Sequence, residues 1–96
     1  MGYPVEIAAI DILDEEKLQR KHGVTRREVI QVFANEPRFF WAKGGQRPHE
    51  DVYTAWGQTD GGRYLIVFFI YKLNRRALVT SARDMDGKER KRYGKK

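Results

Sequence analysis

The stretch Tyr64-Leu65-Ile66-Val67-Phe68-Phe69-Ile70-Tyr71 is apolar at every position, so both of its alternating faces are apolar. A strand with one wet face would alternate polar and apolar residues; this one is expected to lie centrally in a sheet, covered on both sides. Working outward, Lys72 to Arg75 reads as a polar turn and Arg76 to Arg83 as the last strand. In the other direction stand the turn Thr59-Asp60-Gly61-Gly62, a strand over Val52 to Gly57, a Gly-rich basic loop from Lys43 to Pro48, and an aromatic strand over Arg38 to Ala42. Runs of this length and spacing predict an antiparallel meander.

Helices flank the strands. Asp14, Glu15 and Glu16 place acid at a helix start, Lys17 to His22 place base towards its end, and Gly23 supplies a left-handed terminator; both charge placements suit the helix dipole. Thr25 and Glu28 form a capping box for a second helix, whose Val29, Ile30, Val32 and Phe33 make one apolar stripe before Asn35 and Pro37 stop it. Asp86 and Glu89 form another box, opening a short helix that runs through Tyr93 and frays at Gly94. Ahead of all these, Val5 to Ile10 predicts a first strand ending near Asp11. The expected fold is α+β: an antiparallel sheet with two N-terminal helices packed on one face and a short C-terminal helix. All 96 residues form one domain.

Charge narrows the partners. A net charge of +6 and a pI near 9.8 favour nucleic acid, an anionic membrane surface or an acidic protein. The absence of cysteine removes disulfides, thiolate metal sites and cysteine nucleophiles together, and fits a reducing compartment. Met1 to Ile12 lacks a basic segment followed by an apolar run, so it does not read as a signal peptide. The eight-residue apolar run is far below the roughly 20 residues of a membrane helix. A soluble cytoplasmic protein, without a membrane partner, is the expectation.

Several short motifs stand in one order: Lys21-His22-Gly23-Val24-Thr25, Val32-Phe33, Gly57-Gln58-Thr59, Gly62-Arg63-Tyr64-Leu65-Ile66-Val67, Ser81-Ala82-Arg83-Asp84-Met85 and Glu89-Arg90-Lys91-Arg92-Tyr93. No single one is specific; the ordered set, from about Asp11 to Tyr93, resembles the BrnT family of toxins. The resemblance implies a compact domain similar to the RelE-like ribonucleases, cleaving RNA without a metal. It also implies neutralisation by a cognate antitoxin that carries a DNA-binding domain. The assemblies open to such a pair are a toxin homodimer and a toxin–antitoxin heterotetramer. One position departs from the pattern: Val52 stands five residues before Gly57, where many members have arginine. If that arginine binds phosphate, the role passes here to Arg47 or Arg63.

Metal-free RNA cleavage needs a base for the 2′-hydroxyl, cations for the phosphorane and an acid for the leaving 5′-oxygen. Arg83 at a strand end and Arg63 after a Gly-rich turn suit phosphate, although each is equally suited to an ion pair or a solvated rim. Tyr93, among Arg90, Lys91 and Arg92, suits proton transfer or stacking; packing against the sheet is the blander use. His49 and Glu50 beside Arg47 make a candidate base cluster in a loop that is polar anyway. Lys43, Arg47, Trp41, Arg90 and Arg92 are the expected RNA contacts, Trp41 by stacking, and core packing is the better reading of Phe40. His22 more simply caps the helix it ends. Two distant histidines give no zinc spacing, Gly44-Gly45-Gln46-Arg47 lacks the Lys-Ser/Thr of a P-loop, and no cofactor is expected. Ser81 has no nearby histidine for a triad. The expected function is a metal-independent ribonuclease toxin. The alternatives are a non-catalytic nucleic-acid-binding module and a decayed toxin that only binds its antitoxin.

Overall fold

The computed structural model describes residues 6–47 and 50–94. Its elements are β1 (Ala9–Ile12), α1 (Glu15–His22), α2 (Arg26–Ala34), β2 (Arg38–Lys43), β3 (Val52–Gln58), β4 (Tyr64–Lys72), β5 (Arg76–Asp84) and α3 (Gly87–Gly94), with a 3-10 turn at Leu73–Arg75 between β4 and β5. The five strands form one sheet in the order β1-β5-β4-β3-β2. The apolar run is β4, the middle strand, antiparallel to both neighbours. Strands β2 to β5 make the expected meander.

The first strand corrects that expectation. It spans Ala9–Ile12 rather than Val5 to Ile10, and Met1 to Val5 lie outside the described residues. It pairs with β5 in parallel, so the sheet is mixed and not a pure meander. Ala8 N–H donates to Arg75 O and Leu13 N–H to Val79 O at the two ends of this ladder. Alternation reports which side chains share a face; it carries no information about the direction of the partner strand, which is why the sequence pattern missed the parallel pairing.

Both N-terminal helices begin on their caps. The Asp14 carboxylate accepts from Lys17 N–H at 3.0 Å, and Gly23 takes φ 62° at the end of α1. Thr25 Oγ1 accepts from Glu28 N–H at 3.2 Å, while Glu28 Oε1 accepts from Thr25 N–H at 3.1 Å, closing the box of α2. The apolar stripes then bury Leu18, Val29 and Val32 against Leu65, Val67 and Phe69 of β4 and Ala77, Val79 and Ala82 of β5. Full burial of a side chain such as Phe69 or Leu65 contributes about 1.5–3 kcal/mol. Phe33 and Phe39 both meet the ring of Phe69 edge-on, at 5.3 and 5.9 Å between centroids. Gly57 permits the close seat of α2 on β3: a Cβ there would lie 3.2 Å from Val32 Cγ1 and 3.3 Å from Pro37 Cβ.

The other sheet face is covered unevenly. The register puts Phe40, Thr54 and Phe68 in one row, and Trp56, Ile66 and Arg83 in the next. Helix α3 folds over one end of this face, where Trp56, Ile66 and Met85 form a smaller core packed by Tyr64 and Tyr93. The far end, towards Lys43 and Val52, is open.

Candidate functional site

Two glutamates that close capping boxes also receive arginines. The second of these pairs lies on the partly open face. Asp86 Oδ1 accepts from Glu89 N–H at 2.8 Å, and Glu89 Oε1 accepts from Asp86 N–H at 2.9 Å. Arg83 reaches the same carboxylate with both terminal nitrogens, each at 2.7 Å, and its Nη1 also donates to Asp84 O at 3.2 Å. The first turn of α3 is thereby tied to the end of β5. The guanidinium beside it holds the Glu89 carboxyl down at about 2, and Arg83 is raised in turn by the same bond. Glu89 is therefore a fixed anion rather than a proton carrier.

A groove of about 300 Å³ opens beside this pair, floored by Phe40, Trp56 and Phe68 and edged by Arg83 and Arg92. Arg92 lies over Phe40 and Trp56, at 5.2 and 5.5 Å from the ring centroids, and Arg83 over Phe68 at 5.7 Å. Arg38 clamps α3 from β2, its Nη1 donating to the carbonyls of Arg92 and Tyr93 at 3.3 and 3.2 Å. A second groove continues past Phe68 and Arg83 to Lys43 and Val52, which pair across β2 and β3. Cations set over aromatic rings on a half-open sheet face suit a polyanion that carries flat bases.

Arg63 has the same chemistry in a different place. Its Nε and Nη2 grip Asp84 at 2.7 and 3.0 Å, Nη1 donates to Gly23 O at 2.8 Å and to Glu28 at 3.2 Å, and Nη2 donates to His22 O at 3.0 Å. All five of its N–H groups are thus engaged. It joins the end of α1, the cap of α2 and the end of β5. The bond to Asp84 raises Arg63 and lowers the Asp84 carboxyl. His22 enters this network through its carbonyl, as a helix end.

The remaining sequence candidates divide by place. Tyr93 packs edge-on against Tyr64 at 6.0 Å and onto the small core of Trp56, Ile66 and Met85. Arg90 lies over Tyr64 at 4.4 Å, outside the groove, beside Gly62 and Asp84. The register sets Trp41 opposite Tyr53, on the alternate face from Phe40, with its Nε1 donating to Asp51 at 3.3 Å. Arg47 and Glu50 stand in the loop between β2 and β3, and His49 lies outside the described residues. The structure therefore brings Arg83 and Arg92 to one groove, whose edge Trp41 also lines, and Arg83 and Lys43 to the adjoining one, and sets Arg63 apart. Sequence reading missed Trp56 and Phe68 as the floor and Arg38 as the clamp. Alternation along 52–58 and 64–72 held the signal for the first two, once a partly open second face was considered. Among the described residues no three acidic or histidine side chains cluster to hold a metal ion, and no helix is long and apolar enough to cross a membrane.

A family model described as the ribonuclease toxin BrnT of type II toxin–antitoxin systems matches residues 13–89. That span includes both arginine–glutamate pairs and ends before Arg92 and Tyr93. No curated protein matches the chain.

Proposed function

The chain belongs to the BrnT family of ribonuclease toxins of type II toxin–antitoxin systems, and from that premise we propose that RNA is bound and cut, without a metal ion, on the sheet face beside α3. The observation that carries this reading is the convergence of Arg83, Arg92 and Lys43 on an aromatic floor that α3 leaves partly open. Attack of the 2′-oxygen on phosphorus forms a phosphorane; breaking the bond to the 5′-oxygen then leaves a 2′,3′-cyclic phosphate and a free 5′-hydroxyl. Glu89 fixes the fork of Arg83, and Nε–H and one Nη2–H are left over for phosphate oxygens as negative charge develops. Arg92 and Lys43 hold the neighbouring phosphates. Proton transfer is assigned to Tyr93 of α3 and to Glu50, in the loop between β2 and β3, with its neighbour in sequence His49. Arg63, with its donors engaged, is assigned to holding the scaffold rather than phosphate.

A type II system supplies an antitoxin partner. In this reading the antitoxin carries a DNA-binding domain, meets the toxin in the cytoplasm and covers Arg83 and Arg92 with carboxylates. Antitoxin and RNA then compete for the same cations. The test is incubation of purified protein with RNA in chelator, with the product ends identified and the antitoxin added in a parallel reaction. Cyclic phosphate ends in chelator, suppressed by antitoxin, are expected. Loss of cleavage in chelator removes the metal-free route, and binding without cleavage under every condition leaves the non-catalytic module.

A further inference from the structure

The groove beside α3 has features that bear on what part of an RNA it takes. Its volume of about 300 Å³ lies at the small end of ligand pockets, roughly 300–1,000 Å³. That groove has room for one nucleobase with its sugar, and the adjoining groove of about 550 Å³ towards Lys43 and Val52 has room for the strand to run on. The floor is built of π-faces, and its polar atoms are committed to each other. Trp56 Nε1 donates to Thr54 Oγ1 at 2.9 Å, and Thr54 Oγ1 donates onward to Phe40 O at 3.4 Å. A base arriving there meets the rings of Phe40, Trp56 and Phe68, over which the guanidinium groups of Arg92 and Arg83 already lie, so it stacks in the same layer as those cations. Stacking without edge contacts is tolerant of sequence, because every base has a π-face.

We propose that this groove takes one unstacked base of single-stranded RNA, whichever base it is, while Arg83 and Arg92 hold the adjoining phosphates. The inference rests on the RNA site described above and adds what the site selects: strandedness at that base, not identity. A base already paired in a duplex would first have to leave its stack, so duplex RNA is bound by its phosphates alone.

The test uses short oligodeoxynucleotides of equal length, which lack the 2′-hydroxyl and cannot be cut. Binding to the full chain is measured for adenine, cytosine and thymine homopolymers and for an abasic strand with the same number of phosphates. Base-bearing strands should bind at least about tenfold more tightly than the abasic strand, and the three homopolymers should agree within about tenfold. Phe68→Leu keeps an apolar side chain and removes the ring; it should close most of the gap between base-bearing and abasic strands. Phe68→Ala should do the same. Equal affinity for abasic and base-bearing strands, a wider spread among homopolymers, or a gap that survives Phe68→Leu would overturn the proposal. Failure of the underlying site looks different: Arg83→Ala would then leave the abasic strand bound as before. If Arg83→Ala weakens every strand while no gap exists, the phosphate site stands and the base groove falls.

Discussion

Thr25, Glu28 and Arg63 at the start of α2 repeat, almost group for group, the arrangement of Asp86, Glu89 and Arg83 at the start of α3. Each is a capping box whose glutamate also binds an arginine, Arg83 from the end of β5 and Arg63 from the turn just before β4. Their surroundings differ. Arg63 is ringed by two carboxylates and two helix-end carbonyls, and its side chain is 29% exposed. Arg83 has one carboxylate and one carbonyl, is 41% exposed, and lies over Phe68 at the edge of a groove. The same charge pair joins elements together where its donors are exhausted, and offers a fixed cation where donors remain. A motif is therefore not enough to assign an arginine to chemistry; the count of acceptors around it is the better guide.

The largest separation between the two regions should come from Arg83→Ala. Loss of a positioned cation at the phosphorane is expected to cut the cleavage rate by about 10²–10³-fold, with the fold retained at a Tm lowered by loss of the pair with Glu89. Cleavage kinetics and a melt on the same preparation check both halves. Unchanged cleavage, or a collapse of the fold, would make the two arginines equivalent and void the contrast.

Arg63→Ala should act the other way round. It leaves Glu28, Asp84 and the end of α1 without their shared donor, at a cost of about 2–3 kcal/mol. For a domain of this size that is a fall of roughly 10–20 °C in Tm. Below the new midpoint, cleavage should stay within about threefold of the parent, a small fraction of the loss of an oxyanion donor. Arg63→Lys should recover little of the stability, since an ammonium cannot reproduce five N–H groups in a planar fork.

Acid gives a smaller and graded contrast. Glu89 titrates near 4.5 when unperturbed and at about 2 in the fold. A depressed carboxylate stabilises the fold fully above its unfolded value, and that contribution is lost as pH falls towards the folded value. Urea midpoints should therefore fall between about pH 5 and 2, and part of that slope should vanish in Arg83→Ala. Parent and variant curves should converge at the acid end. A constant offset across the window would mean that the pair is not what depresses Glu89.

How much of this was legible in the sequence follows from where each signal resides. The capping boxes at Thr25 and Asp86, the acidic helix start at Asp14 to Glu16 and the central place of Tyr64 to Tyr71 are local patterns, and the structure has each of them where it was expected. The parallel pairing of β1 was not legible, because alternation is silent about direction. Nor was the division between Arg63 and Arg83. Both follow or precede turns and both have acids nearby in sequence, but the partners that occupy Arg63 lie 21 to 41 residues away, in β5, in α2 and at the end of α1.

The smallest expected effect concerns the open end of the face, at Lys43 and Val52. These two residues pair across β2 and β3 and line one groove with Phe68 and Arg83. Val52 occupies the position where the family resemblance leads one to expect arginine, so the lysine opposite it is the cation left at that end. A lysine there acts as a point charge on phosphate and carries no information about the base. Lys43→Ala should weaken single-stranded binding severalfold, equally for all sequences, and make the logarithmic salt dependence shallower by about 0.7. Val52→Arg should do the reverse, steepening it by about 0.7 and tightening binding. Stability should barely move in the first case, because Lys43 is exposed. Titrations at several salt concentrations separate this from a packing effect, which would shift affinity without changing the slope. If Val52→Arg leaves both affinity and slope unchanged, the groove at this end is not on the path of the phosphates. The RNA would then be confined to the α3 side, between Arg83 and Arg92.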